Sequence, residues 1–202
     1  MKLGIISGSQ RSPSQSAKVS GFIADVLSRE FDGIETFVHD LGAEPLPWCE
    51  EEDPLPAAEQ PPLIRKLSPL LRECDGLIVV TPEWGGMATA SLKNFFLWCN
   101  AHELSHKPGL IISVARRLGG AYPVADLRMS SYKNTHLCWL PEHVIIRNVE
   151  SVLNEPSPGG EDDRAIRQRL SYALRLLEAY ATALRSVRAA GIIDTQQYRW
   201  GM

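Results

Sequence analysis

The sequence predicts an α/β domain in three layers, a five-stranded parallel sheet with helices on both faces. Short apolar runs alternate along the chain with longer segments of helical periodicity, and this order is typical of parallel sheets. The run GLIVV (76–80) is apolar at every position after its glycine, as expected of a parallel strand that is covered on both sides. The chain has 202 residues, 44% of them hydrophobic, which is enough for one domain with a real core.

The first half of the chain contains three predicted strands. They are LGII (3–6), IETFVH (34–39) and GLIVV (76–80). The helix after the first strand is predicted from apolar residues spaced on one helical face, namely Val19, Ile23, Val26 and Leu27. Two further helices are expected over about 63–73 and 89–100.

A proline-rich stretch (41–63) separates the second strand from the next helix. Its six prolines keep it from being helix or central strand, and they are Pro45, Pro47, Pro54, Pro56, Pro61 and Pro62. The stretch is long for a connection in a compact domain, and such loops are often functional or face a partner. The alternative is a tethered surface crossover.

The second half of the chain completes the alternation. Strands are predicted at GLIISVA (109–115) and EHVII (142–146), with a helix over 121–135 between them. A long helix from Asp162 to Arg188 has apolar residues at helical spacing and stops before Gly191. We therefore predict one domain over 1–190 and a C-terminal tail over 191–202. The apolar residues of the tail suit packing on this domain or on a second subunit.

Charge and hydropathy exclude several classes of partner. The formal net charge is −3 and the sequence pI is near 6.0, which does not favour nucleic acid or an anionic membrane. No apolar run approaches the roughly 20 residues that span a bilayer. The N-terminus turns polar after a short apolar run, too short for a secretory signal, so we expect a cytoplasmic protein.

Metal binding is not expected. The four cysteines show no CxxC spacing, so neither a disulfide framework nor a zinc site is predicted. His102 and His106 are four residues apart, which would place both on one helical face, and we interpret them as a solvated helix end.

A serine-rich loop, GSQRSPSQS (8–16), follows the first strand and opens a helix. A helix N-terminus offers unpaired N–H groups and a partial positive charge, and so favours anions. The loop adds hydroxyl, amide and guanidinium donors, which are Ser9, Arg11, Ser14, Gln15 and Ser16. This chemistry suits a phosphomonoester. A serine-capped turn that binds no ligand is the alternative, and both GxGxxG and the P-loop signature are absent.

A second loop, in TPEWGGMATASLKNFFLWC (81–99), follows the third strand. Its Pro-Glu and Gly-Gly pairs indicate a turn whose backbone groups are not used by the sheet, and Trp84 could supply a flat face. Two donor-rich loops at neighbouring strand ends suit a ligand with a phosphate at one end and a planar heterocycle at the other. The alternative is that Trp84 is a core aromatic residue.

The chain resembles the NADPH-dependent FMN reductases with a flavodoxin-like fold, a family that includes reductases of quinones, azo dyes and chromate. The resemblance rests on GSxRxxS after the first strand, on LPWCEEED in the proline-rich stretch, and on TPExxG followed by LKNxxxW after the third strand. It runs in order from Lys2 to about Ala125, which is more than half of the chain.

The resemblance implies residues for the cofactor. FMN phosphate would be held by Ser9, Arg11, Ser14, Gln15 and Ser16. The loop at the isoalloxazine ring, binding largely through backbone groups, would be Pro82, Glu83, Trp84, Gly85, Gly86 and Met87. Ser113 to Gly120 would face the flavin from its other side, whereas Lys93 and Asn94 would support the first turn of their helix.

The implied activity is that of an FMN-dependent oxidoreductase. NAD(P)H would pass a hydride to FMN, and the electrons would go on to a quinone, free flavin or similar small-molecule acceptor. No side chain need act as an acid or a base, so no catalytic residue is predicted. Family members commonly bind FMN near a subunit interface, which implies a homodimer or homotetramer.

The chain departs from the family in two places. Trp84-Gly85 stands where the family has Tyr-Asn, and Arg116 and Arg117 stand in a loop that is usually smaller and richer in glycine. The two arginines could bind the phosphate of a nicotinamide dinucleotide or an anionic substrate, or could be solvated surface charges. Two other classes stay open: an FMN-binding electron carrier, and a flavodoxin-like subunit without flavin activity.

Overall fold

The structure, a computed structural model, describes residues 1–50, 55–56 and 58–201. The strands are β1 (Lys2–Ser7), β2 (Glu35–Asp40), β3 (Gly76–Pro82), β4 (Pro108–Val114) and β5 (Cys138–Ile146). The helices are α1 (Gln15–Glu30), α2 (Pro62–Glu73), α3 (Ala90–Trp98), α4 (Ala101–Leu104), α5 (Ala121–Ser130) and α6 (Glu161–Ala189). The strands form one parallel sheet in the order β2-β1-β3-β4-β5, the flavodoxin-like order. The predicted fold class is confirmed.

Two apolar cores lie on opposite faces of this sheet. Helices α1 and α6 cover one face, where Ile23 and Leu174 pack with Ile5 of β1. Helices α2, α3 and α5 cover the other face, where Phe95 and Leu127 pack in the second core. Every residue of β3 and β4 is buried, which explains why these strands are nearly unbroken apolar runs.

Two predicted boundaries around β5 are wrong. The helix predicted over 121–135 ends at Ser130. The Ser131 N–H makes the last helical hydrogen bond, to the Leu127 carbonyl, and the Thr135 hydroxyl then donates to the Ser131 carbonyl, which a continuing helix would pair with a backbone N–H. The strand predicted over 142–146 begins at Cys138. It includes Pro141, which is tolerated because β5 is an edge strand with an irregular register against Gly109/Ile111.

Local helix signals correct three smaller predictions. The helix predicted over 89–100 is α3, which ends at Trp98, and Asn100 and Glu103 then form a capping box that starts α4 beyond the predicted range. That short helix ends before His106, whose backbone is left-handed (φ 52°), so His102 and His106 do not share a helical face. Pro62 is the first residue of α2 rather than part of the loop, a position where proline is favoured.

The proline-rich stretch and the tail are described in part. Residues 41–50 form neither helix nor strand, as predicted, whereas Glu51 to Pro54, with the acidic end of LPWCEEED, lie outside the described residues. In the tail, Gly201 lies against the Lys133 carbonyl, and Ile192 and Tyr198 are exposed. The division of the chain at residue 190 stays a prediction. Within the described ranges, no helix is both long enough and apolar enough to cross a membrane.

Asp75, directly before β3, ties the end of α6 to the sheet. Its carboxylate accepts hydrogen bonds from the Arg185 guanidinium at 2.6 and 2.8 Å, from Arg188 at 3.3 Å and from the Lys2 backbone N–H at 3.1 Å. These partners lower the pKa of Asp75 to about 2, the Arg185 hydrogen bonds contributing most.

We expect this tie to contribute stability that acid removes. The folded pKa lies below the ordinary value, so the contribution is present above pH 3.8 and is lost as the pH falls to about 2. Asp75→Asn should lower the free energy of unfolding at pH 7 by at most about 2 kcal/mol, since Arg185 is half exposed and solvent screens the pair. Urea unfolding from pH 7 to pH 2 measures this. A difference between the two proteins that did not shrink in acid would contradict it.

Candidate functional site

The two predicted loops meet at the switch point of the sheet. The chain moves from β1 to β2 on one side and then to β3 on the other, so the loops after β1 and β3 are neighbours. The Gly8 N–H donates to the Val80 carbonyl at 2.8 Å. The hydroxyls of Thr89 and Ser91 donate to the Gly8 carbonyl at 2.5 and 3.3 Å. These two hydroxyls hold the loops together and were missed, although a threonine one residue before a helix is a recognisable N-cap.

The N-terminus of α1 has unused hydrogen-bonding groups. Ser14 is its N-cap, and the Ser14 hydroxyl accepts from the Ala17 N–H at 3.1 Å. The N–H groups of Gln15 and Ser16 have no acceptor among the described residues. The Ser16 hydroxyl and the Gln15 side-chain oxygen are buried, and neither has a partner in the described part of the chain. Buried polar groups are normally paired, so this cluster fits a bound phosphate monoester.

The other two predicted phosphate residues shape the loop and reach across it. Ser9 is buried, and its hydroxyl accepts from the Arg11 N–H at 3.3 Å. The Arg11 side chain is exposed, and its guanidinium lies 4.7 Å from the centre of the Trp84 ring. The structure therefore brings the serine-rich loop and the tryptophan loop into contact.

The loop after β3 is a tight turn. Trp84 and Met87 exchange both of their backbone hydrogen bonds at 3.0 Å, and Gly85 and Gly86 between them have positive φ angles of 56° and 76°. The Glu83 N–H donates to the Val114 carbonyl. The prediction that the sheet does not use the backbone groups of this loop is therefore wrong for the Glu83 N–H. Trp84 and Met87 bond to each other and not to the sheet, and the N–H groups of the two glycines have no acceptor within the described ranges.

The remaining ring-loop residues differ in exposure. Trp84 is half-buried and belongs to neither apolar core of the described residues, so it is not a core aromatic residue. Met87 is 58% exposed. Pro82 is the buried last residue of β3. Ser113 on β4 is fully buried, and its hydroxyl has no partner within the residues described.

The Glu83 carboxylate faces the loop after β4. It accepts a hydrogen bond from the Gly120 N–H, which is the N-cap position of α5, and it contacts Gly119 so closely that a Cβ there would collide with it. A carboxylate at a helix N-terminus is stabilised by the helix dipole. Glu83 therefore braces the two loops against each other.

We expect Glu83→Ala to affect stability more than cofactor binding. Loss of a charged hydrogen bond and a helix-cap contact should lower the free energy of unfolding by about 1–2 kcal/mol. The carboxylate points at Gly120, so FMN affinity should fall by less than about fivefold. Urea unfolding and an FMN titration measure the two effects. A large loss of affinity in a protein of normal stability would instead make Glu83 a direct ligand.

Lys93 and Asn94 were predicted to support the first turn of their own helix, and this prediction is wrong. The Lys93 ammonium pairs with Asp126 of α5 at 2.5 Å. The buried Asn94 amide donates to the Pro47 carbonyl and accepts from the Cys49 N–H, both at 2.8 Å. The motif LKN therefore joins α3 to α5 and to the proline-rich stretch. Sequence spacing could not show this, because both partners are distant in the chain.

A cavity of about 930 Å³ lies elsewhere. It runs along α3 and past the end of α5, with Trp98, Lys133 and Trp200 among its lining residues. It lies at neither predicted loop, so we base the candidate site on the strand ends. The described residues contain no group of three or more His, Cys, Asp or Glu side chains that could hold a metal ion.

Comparison with known proteins identifies relatives of this chain. A family model described as NADPH-dependent FMN reductase matches residues 1–150. A curated relative, the NADPH azoreductase of Bacillus sp. (strain OY1-2), is 26% identical over 188 residues, which cover 93% of this chain and 97% of the relative.

Solved structures show the same fold. The flavoenzyme FerB, an NAD(P)H:(acceptor) oxidoreductase from Paracoccus denitrificans, superposes with a TM-score of 0.66 at 17% identity, over 92% of this chain and 97% of that one. An oxidoreductase from Corynebacterium diphtheriae superposes with a TM-score of 0.65 at 18% identity, over 90% and 97%.

Proposed function

Because the chain belongs to the NADPH-dependent FMN reductase family, we propose that FMN binds at the switch point of the sheet. The chain is an NAD(P)H-dependent oxidoreductase, with FMN and NAD(P)H as its cofactors. The observation that carries the proposed site is the α1 N-terminus, where the buried Ser16 hydroxyl and two backbone N–H groups are unpaired among the described residues.

Each loop has a separate role in this proposal. The α1 N-terminus and Arg11 bind the FMN phosphate, because together they supply N–H donors, a hydroxyl and a permanent positive charge. The turn between Trp84 and Met87 offers the N–H groups of Gly85 and Gly86 to the ring. Glu83 holds this turn against the loop after β4.

Bound FMN supplies the redox chemistry, by accepting a hydride from NAD(P)H and passing electrons to an acceptor. We propose that the acceptor is a quinone, free flavin or similar small molecule. In this scheme the chain's own residues bind and orient and need not move a proton. Met87 is exposed at the end of the turn, and we propose that a second planar molecule approaches there.

An absorption spectrum of the purified protein, followed by anaerobic addition of NADPH and of NADH, tests this proposal. We expect flavin bands that bleach with a reduced nicotinamide and return when a quinone is added. Flavin bands without bleaching would favour an electron carrier. A protein that stays colourless after soaking with FMN would favour a subunit without flavin activity. Either result would overturn the proposed function.

We further propose that the chain forms a homodimer or a larger homo-oligomer. Ion-paired helices α3 and α5 expose large apolar side chains, Leu97 at 67%, Tyr122 at 70% and Met129 at 77%, and a second copy of the chain would cover them. Sedimentation at micromolar concentration should give at least twice the mass of the 22.4 kDa chain. A monomer under these conditions would contradict the proposal.

A further inference from the structure

Three arginines lie together on the loops after β4 and β5. The backbones of the two loops continue the pairing of the strands: the Asn148 N–H donates to the Arg117 carbonyl at 3.3 Å, and the Val149 N–H to the Ala115 carbonyl at 3.2 Å. Arg116 and Arg117 on one loop therefore lie beside Arg147 on the other, and all three are exposed. This edge of the sheet also carries the candidate FMN site.

The three guanidinium groups are tied down to different degrees. The Arg147 Nε atom donates to the Leu118 carbonyl at 2.7 Å, which anchors this side chain over the neighbouring loop. Arg116 pairs with Glu150 at 3.0 Å, but its side chain is 75% exposed, and such pairs are weak. The Arg117 guanidinium has no hydrogen-bond or ion-pair partner among the residues described.

Four loops at this edge of the sheet are together cationic, although the loop after β2 and the whole protein are acidic. The loops after β1, β3, β4 and β5, taken as residues 8–18, 83–89, 115–120 and 147–154, carry five Lys or Arg and two Glu, a net charge of +3. The chain as a whole has a net charge of −3. An anionic reactant would therefore be attracted to the loops that border the candidate site.

The helix that follows the arginines is a poor anion site. At α5 the N-cap N–H of Gly120 already donates to the Glu83 carboxylate, and Pro123, in the first turn, has no N–H to offer. The Glu83 carboxylate also places a negative charge at this helix end, which opposes a second anion there, whereas the first turn of α1 carries no acidic residue. A second phosphate bound beside the FMN site would therefore be recognised by the arginine side chains and not by a helix end.

We propose that Arg116 and Arg117, with Arg147 as a brace, bind the 2′-phosphate of NADPH and make the enzyme prefer NADPH to NADH. This inference rests on the proposed function. A 2′-phosphate is a monoester with nearly two negative charges and three acceptor oxygens, and paired guanidinium groups match it through bidentate hydrogen bonds. NADH has a neutral hydroxyl at this position and gains little from the same arginines.

Calorimetric titration with two small probes tests the proposal on the FMN-loaded protein. Adenosine 2′,5′-bisphosphate carries the 2′-phosphate, and adenosine 5′-monophosphate lacks it. In the variant Arg116→Ala/Arg117→Ala we expect at least tenfold weaker binding of the bisphosphate and less than threefold weaker binding of the monophosphate. Arg175→Ala, an exposed arginine on α6, is the control and should change neither affinity.

Two further readouts separate this inference from the proposed function. The ratio of kcat/KM for NADPH to that for NADH should fall at least tenfold in the double variant. Its affinity for FMN should stay within threefold of the unmodified protein. Equally weakened binding of both probes would mean that the arginines bind the 5′-phosphate, which the probes share. Unchanged bisphosphate binding would mean that the arginines are surface charges. Either result overturns the inference while FMN binding stays intact. Loss of FMN by the double variant would also overturn it, because the arginines would then be FMN ligands, whereas an unmodified protein that binds no FMN would count against the proposed function.

Discussion

The double substitution Arg11→Ala/Ser16→Ala is expected to weaken FMN binding by about 100-fold. Loss of a charged hydrogen bond costs about 1.5–3 kcal/mol and loss of a neutral one about 1 kcal/mol, and each 1.4 kcal/mol is tenfold in the dissociation constant. Arg11 also lies over Trp84, so its removal frees the turn that borders the ring. Fluorescence quenching of FMN measures the affinity directly.

The neighbouring Ser20 provides a matched control. Ser16 and Ser20 are one turn apart on α1, both fully buried, and both hydroxyls lack a partner among the described residues. Removing an unpaired buried hydroxyl should not destabilise the fold, so both alanine variants should unfold at the same urea concentration as the parent or a higher one. Only Ser16→Ala should weaken FMN binding. Equal FMN affinities for the two single variants would place the phosphate elsewhere.

The substitution Lys107→Met is expected to lower the free energy of unfolding by about 3 kcal/mol. Lys107 is 5% exposed, and its ammonium donates to the carbonyls of Leu71 at 2.6 Å, Arg72 at 2.8 Å and Glu103 at 2.7 Å. It therefore satisfies the C-terminal carbonyls of α2 and one in α4. Methionine keeps the apolar stem but leaves the carbonyls unpaired.

Urea unfolding at pH 7 measures this loss, which is a large fraction of a typical stability of about 5–15 kcal/mol. Lys66→Met is the control, because Lys66 is 64% exposed and, among the described residues, pairs only with the exposed Glu44. Its effect should stay below about 0.5 kcal/mol. Burial lowers the pKa of Lys107, because it removes water from the charged ammonium. The three carbonyls offset this desolvation by accepting hydrogen bonds. Equal losses in the free energy of unfolding for the two substitutions would mean that water replaces the ammonium as the hydrogen-bond donor to these carbonyls.

The strands were predictable because each one is a local pattern. The runs over 76–80 and 109–115 are apolar because both faces of β3 and β4 are covered, and their boundaries agree with the structure within two residues. The two boundaries that were predicted wrongly, the end of α5 and the start of β5, depend on hydrogen bonds and strand position that the local pattern does not show. After α5 the Thr135 hydroxyl takes the Ser131 carbonyl from the helix, and Pro141 is tolerated in β5 only because that strand is at the edge.

The candidate site was also predictable only in part. Residue types and their order placed a serine-rich loop and a tryptophan loop at neighbouring strand ends, and the structure brings Arg11 and Trp84 together there. The direction in which Glu83 points was not predictable, because its partner Gly120 is 37 residues away. The same is true of Asn94, which is 47 residues from Pro47.

Local patterns were enough to predict the alternation of strands and helices, the family, and the donor types gathered at the strand ends, because each of these depends on neighbouring residues and on spacing. The folded structure was needed to show which donors already have a partner. Ser9 and Ser14 bond within their own loop and Glu83 bonds to the loop after β4, whereas the Ser16 hydroxyl, with no partner in the described chain, is available for a ligand. A hydrogen bond joins two groups at one point in space, and the distance between them along the chain does not say which pairs will meet.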